Sequence, residues 1–235
     1  MEGSNLTDTP ESLQALFQGE AHLNWLQKRR SVRQFLDKPI PKEVLTRLVQ
    51  GAITAPSNTN RQPWRFAVVT SQDMRTRIVE AVRERCAEIK EIINRSHHAE
   101  EYNGYGDFFH EPLQAAQAII IPQYREYPDL IANLIESGGG DPSQFDTASA
   151  MQAELCSTCG GIMTLLLQAH AEGLGACWMA GPMVARQQIE ALLGIKGPWR
   201  MVGGIALGYP LETPEAKPRK PLKRVVQWFE DDENA

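Results

Sequence analysis

The sequence predicts an α+β fold, in which helices are interspersed with about four strands and no strict strand–helix alternation appears. Three observations carry this reading. Short runs at 66–69, 118–121, 176–179 and 201–207 have the length and apolar character of buried strands. The stretches between them are unequal, and several repeat apolar residues at helical spacing. With 235 residues, of which 42% are hydrophobic, the chain can close one sizeable core.

In chain order, Leu13, Leu16, Phe17, Leu23 and Leu26 fall at helical spacing within 9–28, with Thr9 or Ser12 able to cap the start. Residues 41–52 open on Pro41, suited to a first helical position, and place Val44, Leu45, Leu48 and Val49 on one face. Ala55-Pro56-Ser57-Asn58 then breaks the pattern. A strand is expected at 66–69, a helix at 74–93, and a second strand at 118–121 closed by Pro122. Loops at 95–111 and around Gly138-Gly139-Gly140-Asp141-Pro142 are built to bend. The longest element is expected at about 147–171, with apolar residues on nearly every face, as in a helix buried all round. Gly173-Leu174-Gly175 ends it, and a strand at 176–179, a helix at 184–193 and a strand at 201–207 follow. After Tyr209 the proline-rich run to Leu222 reads as an extended arm.

Bulk properties exclude several classes. A formal net charge of −5 and a pI near 5.6 repel polyanions, so neither nucleic acid nor an anionic membrane is an expected partner. No apolar run approaches the roughly 20 residues of a membrane span, and the first residues lack the order of a signal peptide, so a cytoplasmic location is expected. Four cysteines, with Cys86 and Cys177 isolated, suit a reducing compartment. No GxGxxG follows a strand and no GxxxxGK[ST] occurs. Pro112 breaks the zincin pattern begun by His110-Glu111, and His97-His98 beside Glu100 and Glu101 reads as a polar loop, so no metal is expected. Cys156 and Cys159 form a CxxC that could be a redox pair, but in so apolar a helix they read first as small hydrophobes.

Three segments carry the chemical signal. In Arg29-Arg30-Ser31-Val32-Arg33, an extended chain turns Arg29, Ser31 and Arg33 the same way, presenting two guanidinium forks and a hydroxyl suited to a phosphate monoester. Alone, this segment fits a basic helix terminus better. In 55–64, prolines pin a loop of amides and hydroxyls able to meet polyol and carbonyl groups, although alone it reads as an ordinary polar turn. The third is Gly173-Leu174-Gly175-Ala176-Cys177-Trp178-Met179-Ala180-Gly181-Pro182, followed by Gly203-Gly204-Ile205-Ala206-Leu207-Gly208-Tyr209-Pro210 and by Lys217-Pro218-Arg219-Lys220-Pro221-Leu222.

RRSVR followed some twenty residues later by APSxxNxQPW, with this third segment, resembles the nitroreductase family of FMN proteins over about residues 23–229. The resemblance implies a three-layer sandwich with a mixed four- to five-stranded sheet flanked by helices, in an intertwined homodimer. It also implies an N-terminal extension at 1–22, an FMN-binding domain at 23–213, and an arm at 214–235 packing on the partner. Arg29, Arg30, Ser31 and Arg33 would contact the FMN phosphate, ribityl chain and pyrimidine edge, joined at the phosphate by Lys217 and Arg219. Pro56, Ser57, Asn58, Asn60 and Gln62 would approach the same flavin from the other subunit. Trp178, Met179, Ala180 and Gly181 would form the turn whose backbone N–H donates to flavin N5. Ala180 departs from the Glu that many members carry there.

The activity implied is NAD(P)H-dependent reduction of nitroaromatics, quinones or similar small acceptors in a ping-pong cycle. This accounts for the lack of an evident protein acid, base or nucleophile. Narrower flavin tasks of the same fold, reductive dehalogenation or benzimidazole synthesis, are the enzymatic alternative, and a non-catalytic flavin carrier is the other. Glu101, Tyr102 and Tyr105 lie in a loop suited to the dehalogenase lid, but the spacing differs and no lysine follows. The aromatic loop at 102–109, with Tyr102, Tyr105 and Phe108 around the hinge glycines Gly104 and Gly106, is expected to form a lid over the acceptor, the other reading being a surface loop packed on itself.

Overall fold

The computed structural model describes residues 19–147 and 149–229. Its organising strand is β2 (Ala118–Arg125). Ala118 and Ile120 point into one apolar core, and Ile119 and Ile121 into the other. A strand buried on both faces has no polar alternation, which is why 118–121 is continuously apolar. β1 (Trp64–Val69) and β5 (Gly204–Gly208) flank it, β3 (Gly175–Met179) lies beyond β5, and β4 (Trp199–Met201) pairs with the far end of β2. All these ladders are antiparallel. The parallel component of the sheet is the bridge between Ser31 and Ala176, which lays segment 29–33 beside β3. Pro122 does not close β2 as expected. It sits opposite Phe66 within the ladder, and its carbonyl accepts from the Val202 N–H at 2.8 Å, so only a donor is lost there.

Helices cover both faces. On one lie α1 (Gly19–Lys28), at the edge, α2 (Lys42–Ala52) and α6 (Ala153–Ala171); on the other lie α3 (Gln72–Ile93), α4 (Glu111–Ala115) and α7 (Arg186–Leu192). The Ser71 hydroxyl caps α3 by accepting from Met74 N at 3.4 Å. Arg47 of α2 makes a two-pronged ion pair with Glu172 at the end of α6, at 2.6 and 2.8 Å. That hydrogen-bonded guanidinium holds the Glu172 carboxyl below its usual range. The helix start expected at Thr9 or Ser12 lies outside the described residues, and α1 runs across the boundary expected at residue 22.

Several expectations are corrected. α6 begins at Ala153, after Gln152 in the left-handed region, and its 19 residues make it shorter than α3, which has 22. Within one chain α6 is not buried all round. Ser157, Ile162, Leu165 and Ala169 face the sheet, whereas Cys156, Gly160 and Met163 are exposed. An unanticipated helix, α5 (Leu130–Ser137), precedes the Gly138–Gly140 turn, with Asp129 accepting from Ala132 N at 3.0 Å as its cap. Its eight residues are too few for a clear periodic signal, and Leu130, Ile131 and Leu134 are exposed. The arm after Pro210 is extended and mostly exposed, and Val225, Trp228 and Phe229 form no strand within this chain. No helix among the described residues is long and apolar enough to cross a membrane.

Candidate active site

Segment 29–33 is held to the sheet by the side chains between its arginines. Val32 is buried and its N–H donates to the Ala176 carbonyl at 3.0 Å. Phe35, also buried, continues the seam through a bridge to Pro210. Both need glycine beneath them. A Cβ on Gly175 would fall 2.8 Å from Val32 Cβ, and one on Gly208 would fall 2.6 Å from Phe35 Cβ. Alternation along the extended chain then directs Arg29, Ser31 and Arg33 away from Val32. Arg30 is turned back, its guanidinium donating to the carbonyls of Gln27 and Arg29.

Two cavities open along this segment. A small one of about 220 Å³ is lined by Lys28, Arg29 and Arg30, with His170, Gly175 and Thr213. A larger open cleft of about 960 Å³ is lined by Arg33, Phe108, Phe109, Trp178, Met179 and Gly181, among others. Arg29 thus belongs to one cavity and Arg33 to the other, and four steps of extended chain separate them by about 13 Å. Trp178 is fixed by its indole N–H, which donates to the Val202 carbonyl at 2.9 Å. Ala180 leads into the tight turn Gly181–Ala185, and a Cβ on Gly181 would meet Phe109 Cγ at 2.7 Å. Behind the wall, burial pushes the Cys177 thiol up, with Arg33 and Arg29 pulling the other way.

The aromatic loop departs from expectation. Phe108 lines the cleft, together with Phe109 at the end of the expected loop, but Tyr102 and Tyr105 do not. Tyr102 is exposed beside His98, and Tyr105 packs edge-on against Phe109 with ring centres 5.4 Å apart. Gly106, at φ 82°, pins the loop instead of hinging it, because its missing Cβ makes room for Cys86. Lys90 fastens the same turn through Asp107 at 2.9 Å.

Loop 56–62 lies elsewhere. Asn58 N donates to the Ser157 hydroxyl at 3.1 Å, and Arg61 pairs with Glu154 at 3.0 Å, which ties the loop to the N-terminal end of α6. Ser57 Oγ accepts from Gln62 N at 3.0 Å, and the Gln62 side-chain amide donates through Nε2 to Asn60 Oδ1 at 3.2 Å. Pro56 is exposed at the loop's entry. The small cavity, by contrast, touches Leu166 and His170 near the other end of α6. The nine residues from Ser157 to Leu166 alone span about 14 Å. One chain therefore does not bring the loop to segment 29–33. Lys217 and Arg219 line neither cavity; both are exposed, and Arg219 donates to the Lys217 carbonyl at 3.3 Å. Of the CxxC pair, Cys156 is exposed and Cys159 half-buried, so only the second resembles the small core hydrophobe expected of both.

The model of the Nitroreductase family matches residues 26–209, which include segment 29–33, loop 56–62 and the turn at 178–181. The chain belongs to the nitroreductase family. Among its relatives, an NADH dehydrogenase of Thermus thermophilus is 30% identical over 209 residues, covering 86% of this chain and 92% of the relative. A 5,6-dimethylbenzimidazole synthase of Rhodospirillum rubrum is 29% identical over 202 residues, covering 86% and 83%. In fold, the chain is similar to a BluB-like flavoprotein from Clostridium difficile, with a TM-score of 0.79 at 22% identity over 89% of this chain and 99% of that one. The family match stops short of Lys217, Arg219 and the apolar tail.

Proposed function

We propose that this nitroreductase-family oxidoreductase binds FMN and uses NAD(P)H to reduce nitroaromatics, quinones or similar small electron-poor acceptors. The observation that carries the reading is the placement of segment 29–33 across two cavities of different character. At one end lies a recess small enough for a phosphate, where Lys28 and Arg29 offer charge-assisted donors and Arg30, bonded back to Gln27 and Arg29, adds positive charge. At the other end Arg33 meets an aromatic and apolar cleft open enough for a flat ring system. Ser31, between them, suits a polyol chain. Gly181 lets Phe109 of the cleft wall pack directly on the backbone at 180–181, as a residue with a Cβ could not.

Bound FMN would supply a hydride carrier at N5, accepting from NAD(P)H and donating to the acceptor. The chain's own part is position and charge. Arg29 and its neighbours anchor the phosphate, Arg33 orients the pyrimidine edge, and Phe108 and Trp178 wall a slot with few fixed polar groups. Reductant and acceptor would use that slot in turn, giving a ping-pong cycle with broad acceptor tolerance.

The same proposal includes a homodimer in which each site draws on two chains. Loop 56–62 and segment 29–33 stand at opposite ends of α6, so the loop reaches a flavin only on a second copy. The exposed side of α6 and the free edge of β1 offer the surface. Along that edge Ile53, Phe66 and Val68 help to line an apolar groove of about 650 Å³. The tail bearing Val225, Trp228 and Phe229 would lie there on the partner, bringing Lys217 and Arg219 toward the phosphate.

Purified protein is expected to be yellow, to release FMN and not FAD, to bleach on anaerobic addition of NADH or NADPH, and to scatter light as twice 26.3 kDa. Protein that takes up no FMN, or an active monomer, would overturn the corresponding half of the proposal. A yellow protein that neither reductant bleaches would be a carrier.

A further inference from the structure

A further cavity, of about 450 Å³, lies on the far side of α4 from the cleft, within the range of about 300–1,000 Å³ that ligand pockets occupy. Its lining is mostly polar. Arg75 and Arg83 of α3 contribute guanidinium groups, while Gln72 and Thr76 of α3 and Gln117 of the α4–β2 turn contribute uncharged donors and acceptors. Arg83 already satisfies Glu80 and donates to Gln114 at 3.1 Å. Arg75 donates through one terminal nitrogen to the Ala116 carbonyl, while its buried Nε has no partner. An orphaned guanidinium N–H beside a polar cavity calls for an acceptor. The free carboxylate of Asp37 at the rim suits hydroxyl groups.

The two cavities are neighbours. Gln114 lines both, and the segment that gives Phe35 and Gln34 to the cleft gives Asp37 to the polar pocket. A ligand with a flat reactive end and a distant end of phosphate, ribose and base would fill both by passing around Gln114. We infer that the pocket between α3 and α4 receives the adenosine end of NAD(P)H while the nicotinamide occupies the cleft. This rests on the oxidoreductase reading above, and it supplies the fixed polar contacts that the acceptor slot lacks. Arg75 meets the pyrophosphate, Gln72, Thr76 and Gln117 meet ribose and base, and an acceptor without that end never engages them.

The test uses AMP, the half of the dinucleotide without nicotinamide, and reduced nicotinamide mononucleotide, the half without adenosine. With the FMN-loaded full chain, AMP should compete with NADH but not with reduced nicotinamide mononucleotide. Calorimetry should show AMP binding to the wild type, weakened at least tenfold by Thr76→Glu, which adds a carboxylate on an exposed face of α3. Unchanged melting would show that this variant still folds. AMP competing with both reductants would place it in the cleft and overturn the inference. So would an absence of AMP binding, or equal AMP affinity in wild type and Thr76→Glu. Failure to turn over with any reductant would count against the oxidoreductase reading, while AMP calorimetry would still decide the pocket.

Discussion

Segment 29–33 and loop 56–62 together carry the family signature at the start of this chain, yet they are built in opposite ways. The first is relaxed: an extended run bridged to β3, with Val32 and Phe35 seated over glycines. The second is strained. Thr59, Asn60 and Gln62 all hold left-handed backbone, at φ 49°, 54° and 48°, and the loop is clasped by Ser157 and Glu154 at the opposite end of α6. A relaxed segment is positioned by its own sheet. A strained one depends on the helix end that clasps it. Adjacency in sequence is therefore no guide to adjacency in the fold, and under the proposed shared site the two halves would serve flavins of different chains.

The strongest way to break that comparison is complementation. Arg29→Ala/Arg33→Ala removes the segment, and Asn58→Ala/Asn60→Ala removes the loop's side chains. Each homodimer should lose most of its FMN affinity, since hydrogen bonds to charged groups contribute about 1.5–3 kcal/mol each. A mixed dimer of the two variants has one site with both parts intact, because that site takes its segment from one chain and its loop from the other. Co-expressed and separated by two tags, it should regain half the FMN content of the wild type. If the mixed dimer stays empty, segment and loop act on the same chain and the shared site is wrong.

The next largest effect probes the relaxed half. Gly175→Ala places a methyl 2.8 Å from Val32 Cβ, and neither backbone can yield without disturbing the bridge between Ser31 and Ala176. Overpacking of this kind costs about 1–3 kcal/mol, and here it should also weaken FMN binding by shifting Arg29 and Arg33 together. Gly173→Ala is the control for backbone strain alone, since its φ is 73° but no atom lies within 4 Å of the added Cβ. It should destabilise without lowering flavin affinity. Equal loss of affinity in both would detach the arginines from the glycine seam.

How much of this was legible depends on how local the cause is. The strands at 66–69 and 118–121, the helices at 41–52 and 74–93, and the arginine segment all announce themselves through composition and period within a few residues, although 66–69 proves an edge strand in which Val68 is exposed and Val69 alone is buried. α5 did not, because its eight residues show barely two turns before the glycines begin. Pro122 misled because a missing donor is harmless where the carbonyl alone serves the ladder. Cys156, Gly160 and Met163 leave one side of α6 exposed within the chain, so a correct reading of its composition gave a wrong burial. The aromatic loop failed on a contact 20 residues away in sequence: Gly106 sits against Cys86, and that pins Tyr105 outside the cleft while leaving Phe108 and Phe109 in it.

A smaller effect follows from that correction. Phe108, exposed at the mouth of the cleft, should govern acceptor access, whereas Tyr102 and Tyr105 should not. Phe108→Ala is expected to change the KM of nitroaromatic acceptors several-fold with FMN affinity unchanged. Tyr102→Ala should leave both alone. A larger shift from Tyr102→Ala than from Phe108→Ala would restore the whole loop as a lid.

The smallest effect concerns the strained half, and its sign is what matters. A threonine in left-handed backbone carries about 1–2 kcal/mol of steric cost, because its Cβ crowds the following carbonyl. Glycine removes that cost but adds about 0.5–1 kcal/mol of chain entropy to be lost on folding. The Thr59 hydroxyl donates to the Asn58 carbonyl at 2.8 Å in an exposed position, so its loss should matter little beside these terms. Thr59→Gly should therefore stabilise the protein, by less than about 1 kcal/mol, read as a higher urea midpoint at constant slope. Flavin affinity should move the other way, because a loop free to relax no longer waits in the shape a partner's site requires. If Thr59→Gly lowers the midpoint, the left-handed turn is not strained. If it raises both stability and flavin affinity, the strain is real but plays no part in holding the loop ready for a second chain.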